Sequence, residues 1–292
     1  MSDEPRLQPG AEIGPALIAI GKSLLDGIPF ESTAGDAELI HNFRRRMKRW
    51  RAFLRLLEPA LGETATRLAT EARDLARLLA GARDAQAALD ALQDLGEDYA
   101  AVSEQSLKTI AAHIARARSS AEATTLTEEA RDRLRAALAR TADGIEHWPV
   151  ADTGFHDIAR GLTEGYRRAR RAVPGDWTGA PPEDLHRLRQ RVVAHRYQME
   201  WIEPLWPRQS RVWVGEAQRL RERLGKHQDL AVLGQLLAPR QLLARWRSRL
   251  APAIESRQRD HIEAAMRHCG RLFAEKPQAF RDRIEAMWDA AR

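Results

Sequence analysis

The stretch HNFRRRMKRWRAFLRLLEP, residues 41–59, sets six basic side chains into the eight positions from Arg44 to Arg51 and carries no acid before Glu58. A row of guanidinium groups is poorly suited to moving protons, because arginine stays charged, but it is well suited to binding anions. Its planar fork grips phosphate oxygens in pairs. With His41 as zero and about 100° per residue, Arg44, Arg45, Lys48, Arg51 and Arg55 fall between about −80° and +40°. Phe43, Met47, Trp50, Phe53, Leu54 and Leu57 fall between about 120° and 240°. The spacing predicts an amphipathic helix with one apolar and one cationic face. Surface helices ordinarily mix signs, because oppositely charged pairs four apart help and like charges repel. A bound polyanion is the natural compensation for a face without acids.

Two further segments repeat the pattern. ARGLTEGYRRARRAVPG (159–175) places Arg160, Arg167 and Arg171 on one face, with Phe155, Ile158, Leu162, Ala169 and Val173 on the other. HRLRQRVVAHRYQMEW carries Arg187, Arg189, Arg191 and Arg196 with no acid before Glu200. Other chemistries find less support. The nine histidines include no HExxH and no pair three or four apart, so no metal site is expected. IGKS (20–23) lacks the glycine that a phosphate-binding loop needs five residues earlier; Ala16 stands there. Asp84 and Asp229 read as helix caps or partners of core arginines rather than an acid/base pair. Trp50, Trp201, Trp206 and Trp213 read as core.

These segments need a helical scaffold, and the composition supplies one. Of 292 residues, 43% are hydrophobic and 30% charged, with Ala, Leu, Arg and Glu prominent. Net charge is +6, and only five of the 47 basic residues are lysines. Cys269 is the single cysteine, which excludes an internal disulfide and a CxxC metal knuckle. The apolar ALIAIG is too short for a signal peptide or a membrane span, so a cytoplasmic, membrane-free protein is expected. Helical periodicity is broken at 29–36, 148–154, 174–184 and 275–278, with Asp36, Asp152 and Pro181 to Asp184 as helix starts. Glu58-Pro59 and Glu203-Pro204 read as helix ends.

A shift of 145 residues aligns the chain with itself. His41 falls on His186, Arg44 on Arg189, Arg46 on Arg191, Arg51 on Arg196 and Glu58-Pro59 on Glu203-Pro204, with 12 identities over residues 41–92 and no gap. The expected fold is all-α: two related helical halves, residues 1–150 and 151–292, whose arginine helices a pseudo-twofold would bring together.

His41 followed by Arg44, Lys48, Arg49 and Arg51 resembles the signature of the CHAD family, the conserved histidine α-helical domain. The resemblance extends through LAGARDAQAALDAL (79–92), GYRRARRAVPG (165–175), LGKHQDLAVL (224–233) and CGRLFAEKPQAFRDRIEAMWDA (269–290), over residues 36–291. It implies two four-helix bundles related by pseudo-twofold symmetry, with inorganic polyphosphate bound without catalysis or cofactor in a basic groove between them. Some members are recruited to polyphosphate granules. Carried over by motif, the binding residues are His41, Arg44, Lys48, Arg49, Arg51, Arg55, Arg167, Arg168, Arg171, His186, Arg189 and Arg196, and the spacing of the 159–175 helix adds Arg160. Val193 and Ala194 stand where Lys48 and Arg49 stand in the first repeat, so the second half is expected to grip anions less strongly. Nucleic acid is the leading alternative ligand, since the same charges attract any phosphate backbone. A phosphate-processing enzyme is a further alternative, without visible metal ligands or nucleophile.

Overall fold

The computed structural model describes residues 4–26, 36–77, 83–96, 104–125 and 127–291. Leu79, the side chain of Asp84 and most of the expected break at 29–36 lie outside the described residues. In chain order the α-helices are α1 (Ile13–Leu25), α2 (Asp36–Leu56), α3 (Glu58–Leu61), α4 (Glu63–Arg77), α5 (Arg83–Gly96) and α6 (Glu104–Thr125). Then follow α7 (Glu128–Ile145), α8 (Phe155–Arg171), α9 (Pro182–Trp201), α10 (Pro207–Gln235), α11 (Arg247–Leu272) and α12 (Pro277–Ala291). No strand occurs among the described residues, so the all-α expectation holds. No helix is long and apolar enough among them to cross a membrane.

The apolar stripe of α2 is the reason that it folds where it does. Phe43, Met47, Trp50, Phe53, Leu54 and Leu57 are all buried, as the wheel predicts. Trp50 stacks on Trp148 with centroids 5.8 Å apart, and Phe53 meets Trp201 edge-on at 5.1 Å. Trp213 is half-buried, whereas Trp206 is 52% exposed, against the expectation of a core residue. It sits at the sharp entry to α10, outside the apolar stripe.

Local chemistry sets the helix ends. Thr127 caps α7 by accepting from the Ala130 amide at 3.2 Å. The expected start at Asp152 shifts by a few residues. Asp157 reaches back to accept from the Gly154 amide at 3.2 Å, so α8 begins at Phe155. Proline opens α9, α10 and α12, where its missing N–H costs nothing. IGKS lies inside α1, so it forms no phosphate-binding loop. Asp229 falls within α10, away from a helix end.

Two hydrophobic clusters hold the helices together. The larger joins α1, α2, α4, α7, α8, α9 and α12 with the start of α10 and the end of α11. The smaller joins α5 and α6 to the end of α10 and the start of α11 through Ala88, Leu92, Ile110, Leu230, Leu233 and Ile254. Each draws on helices from both sides of residue 150. A polar clamp reinforces the smaller cluster: buried Asp94 of α5 accepts from Lys226 Nζ at 2.6 Å, Arg257 Nε at 3.1 Å and His261 Nε2 at 2.7 Å. Burial raises the Asp94 pKa, but the three donors prevail and hold it well below the usual carboxylate range.

α2 and α9 pack directly against each other and run antiparallel. Arg49 meets Glu200 near the end of α9, Gln198 Nε2 donates to the Ala52 carbonyl at 3.1 Å, and Arg55 neighbours Arg191. The two arginine helices expected to meet do meet. Arg49 and Arg51, about 200° apart on a helix, face opposite sides of this pair.

Candidate anion-binding site

The side of the α2–α9 pair that carries Arg51 is strongly cationic. Arg51 is surrounded by Arg73 and Arg77 of α4 and Arg191 of α9, with Asp74 opposing them. Arg55 is surrounded by Arg51, Arg191 and Arg168, with Glu58 opposing. Among the described residues, Arg51, Arg55 and Arg191 have no hydrogen bond or ion pair, and the Arg51 Nε is buried without an acceptor. Burial, then neighbouring guanidinium groups, lowers all three pKa values, that of Arg55 to about 10; for Arg191 those neighbours are Arg168 and Arg187, against the opposing pull of Glu58 and Glu164.

Beside this cluster α8 forms the wall of a cavity of about 390 Å³, lined by Arg55, Glu58, Pro59, Arg160, Thr163, Glu164, Arg167, Arg168 and Arg281. Two carboxylates orient part of that wall. Arg168 donates to Glu58 at 2.7 Å and through Nε to Glu164 at 2.8 Å, and Arg167 also pairs with Glu164. The Glu58 bond holds the Arg168 guanidinium more firmly charged, against the opposing effect of burial. Burial pushes Glu164 up, yet its two arginines hold it low. The cavity thus carries five arginines against two glutamates. Its geometry can hold an anion with several oxygens, and no group of His, Cys, Asp and Glu among the described residues could hold a metal ion.

The structure divides the expected binding residues. Arg51, Arg55, Arg160, Arg167 and Arg168 come together. Lys48 and His41 are exposed on α2, and half-buried Arg44 donates to the Ala76 carbonyl at 3.4 Å, beside the Arg77 end of α4. Exposed Arg171 ends α8 outside the cavity wall. His186 and Arg189 turn to α10 instead, each contacting Gln228 Oε1, at 3.0 and 3.2 Å. Arg49 and Arg196 lie on the opposite side of the pair. Arg49 meets Glu4 and Glu200, Arg196 meets Glu200, and both guanidinium groups stack on Tyr197 at 5.0 and 4.3 Å.

Sequence reasoning missed Arg281, Glu58 and Glu164, and it placed Arg191 on a basic helix without counting it among the binding residues. Glu164 was readable, since it lies three and four residues before Arg167 and Arg168. Arg191 was also readable, since it lies in the acid-free run of arginines from Arg187 to Arg196. Arg281 carries no local signal, because only the packing of α12 on α8 brings it in. A larger groove of about 780 Å³ between α4 and α7 mixes Arg67, Arg140, Glu71 and Asp74 with Leu68 and Trp148, and none of the expected binding residues lines it.

No curated protein matches the chain. Among solved structures, the crystal structure of the CHAD domain from the plant Ricinus communis is similar over 100% of this chain and 96% of that one, with a TM-score of 0.54 and 22% identity. That likeness concerns the fold. The CHAD domain family model matches residues 30–238, which contain α2 to α10 and most of the arginine cluster, and the chain belongs to the CHAD domain family.

Proposed function

We propose that the protein binds inorganic polyphosphate, without catalysis, along the basic surface of α2, α8 and α9. The observation that carries this reading is the convergence of Arg51, Arg55 and Arg191, half-buried, crowded by other guanidinium groups and without a hydrogen bond or ion pair among the described residues. A protein gives up stability by holding like charges together. A bound polyanion returns it and satisfies the guanidinium donors. The stripe of exposed Lys48 and His41, with half-buried Arg44 between them, extends the surface along α2, so an extended anion suits it better than a single phosphate. The reading includes a cytoplasmic setting, recruitment to polyphosphate granules and a division into related halves, 1–150 and 151–292.

Polyphosphate is thin, flexible and densely charged, so it can enter the cavity beside α8. Duplex DNA carries its phosphates on a rigid exterior and would meet only the exposed arginines, where salt screens them. The test is competition at equal phosphate concentration. Long-chain polyphosphate displaces duplex DNA and RNA, the reverse displacement is poor, and affinity falls steeply with salt. Equal competition by DNA would overturn the reading in favour of nucleic acid, and flat affinity across salt would overturn both.

A further inference from the structure

The opposite face of the α2–α9 pair repeats the first with one change. Under the 145-residue shift, Arg51 corresponds to Arg196 and Arg46 to Arg191, but Arg55 corresponds to Glu200. Arg49 and Arg196 gather there on Glu200, with Arg46 beside Arg49, its Nη1 donating to the Ser23 carbonyl at 3.1 Å and to the Asp26 carbonyl. Over them runs the segment from Glu4. Leu7 is buried at 1% exposure, its amide donates to the Trp201 carbonyl at 2.9 Å, Arg6 pairs with Glu203, and Glu4 pairs with Arg49. Glu4 also lies close enough to Arg46 to favour its charge, against burial and the neighbouring Arg45 and Arg49. The carboxylates do not saturate the forks. Among the described residues the buried Nε atoms of Arg49 and Arg196 have no acceptor, and Glu4 and Glu200 oppose each other.

We propose that residues 4–7 are a self-ligand strap, with the Glu4 carboxylate standing where a phosphate group binds on a second anion site built by Arg49 and Arg196, with the charge of Arg46 alongside. The inference rests on the polyphosphate reading above but concerns a separate face. A phosphate offers more acceptor oxygens than one carboxylate, so it can reach the Nε donors that Glu4 and Glu200 leave unfilled. Its arrival displaces Glu4 and lifts the strap. Polyphosphate would then engage both faces of α2, and the strap sets the order in which they fill.

The experiment titrates long-chain sodium polyphosphate into the full chain by calorimetry, in the wild type and in an Arg51→Ala/Arg55→Ala background, each with and without Glu4→Gln. Glu4→Gln keeps Leu7 seated and removes one charge. In the Arg51→Ala/Arg55→Ala background it is expected to tighten the residual binding about fivefold, and adding Arg49→Ala is expected to remove that gain. Hydrogen exchange at the Leu7 amide accelerates when polyphosphate is added to the wild type. Wild-type binding with no gain from Glu4→Gln, or a gain that survives Arg49→Ala, overturns the strap alone. Absence of binding in both the wild type and Glu4→Gln overturns the strap and the functional reading together. Absence in the wild type with binding in Glu4→Gln overturns the Arg51–Arg55 site and upholds the strap.

Discussion

Gly161 of α8 lies against the Leu56 carbonyl at the end of α2, so closely that a side-chain carbon at 161 would overlap that oxygen and stand 3.0 Å from the carbonyl carbon. This contact sets the separation of α8 and α2, and with it the distance between Arg55 and the Arg160, Arg167 and Arg168 wall. Helix backbones approach this closely only where no Cβ intervenes. Gly161→Ala is therefore expected to cost about 3 kcal/mol in chemical denaturation, an overpacking effect with no far side-chain end free to move aside. Polyphosphate affinity falls in the fraction that remains folded.

Arg55 separates binding from stability. Its guanidinium pKa is drawn down to about 10 by burial and by Arg51, Arg191 and Arg168. Arg55→Met keeps the aliphatic packing and removes the repulsion. The expected outcome is a Tm unchanged or raised by about 2 °C, together with weaker polyphosphate binding by calorimetry. A drop in both would mean that Arg55 holds the fold.

Asp94 is the opposite case. Asp94→Ala strips Lys226, Arg257 and His261 of their shared acceptor between α5, α10 and α11. The expected loss is about 3 kcal/mol at neutral pH, measured by urea unfolding. The sign follows from the depressed carboxyl pKa. The stabilisation is fully present above the unfolded value, about 3.9, and fades as pH falls below it, so wild type and variant converge in acid.

His195 supplies a second acid dependence. Fully buried among Tyr166, Trp213, Phe273 and Phe280, it accepts from Trp213 Nε1 at 2.9 Å, and burial, with Arg283 adding to the effect, pulls its pKa down to about 3. Between about 6.5 and 3 the unfolded chain takes a proton that the folded one refuses, so stability declines as pH falls, by up to about 1.4 kcal/mol per pH unit. His195→Gln retains an acceptor for Trp213 and is expected to flatten unfolding curves measured from pH 7 to pH 4. A slope from His227 and His261, also lowered by burial, remains.

The sequence by itself determined the helical class, the apolar face of α2 from Phe43 to Leu54, and the concentration of arginine on α2, α8 and α9. Period and composition act locally, and a 3.6-residue repeat of large apolar side chains has few other ways to be buried. It also carried the asymmetry of the two repeats, since Val193 and Ala194 are visible without a fold. Only the tertiary structure decided which arginines are left without partners. Arg49 and Arg51 are two residues apart, yet one is neutralised by Glu4 and Glu200 while the other faces Arg191, because α9 and the segment from Glu4 cover one side of α2 and α4 and α8 flank the other. His186 and Arg189 share the motif's spacing but are drawn to Gln228 of α10, and Arg281 enters the site from α12 with no local signal. A guanidinium's surroundings depend on which distant carboxylates reach it, and those contacts follow from helix packing rather than from neighbours in the chain.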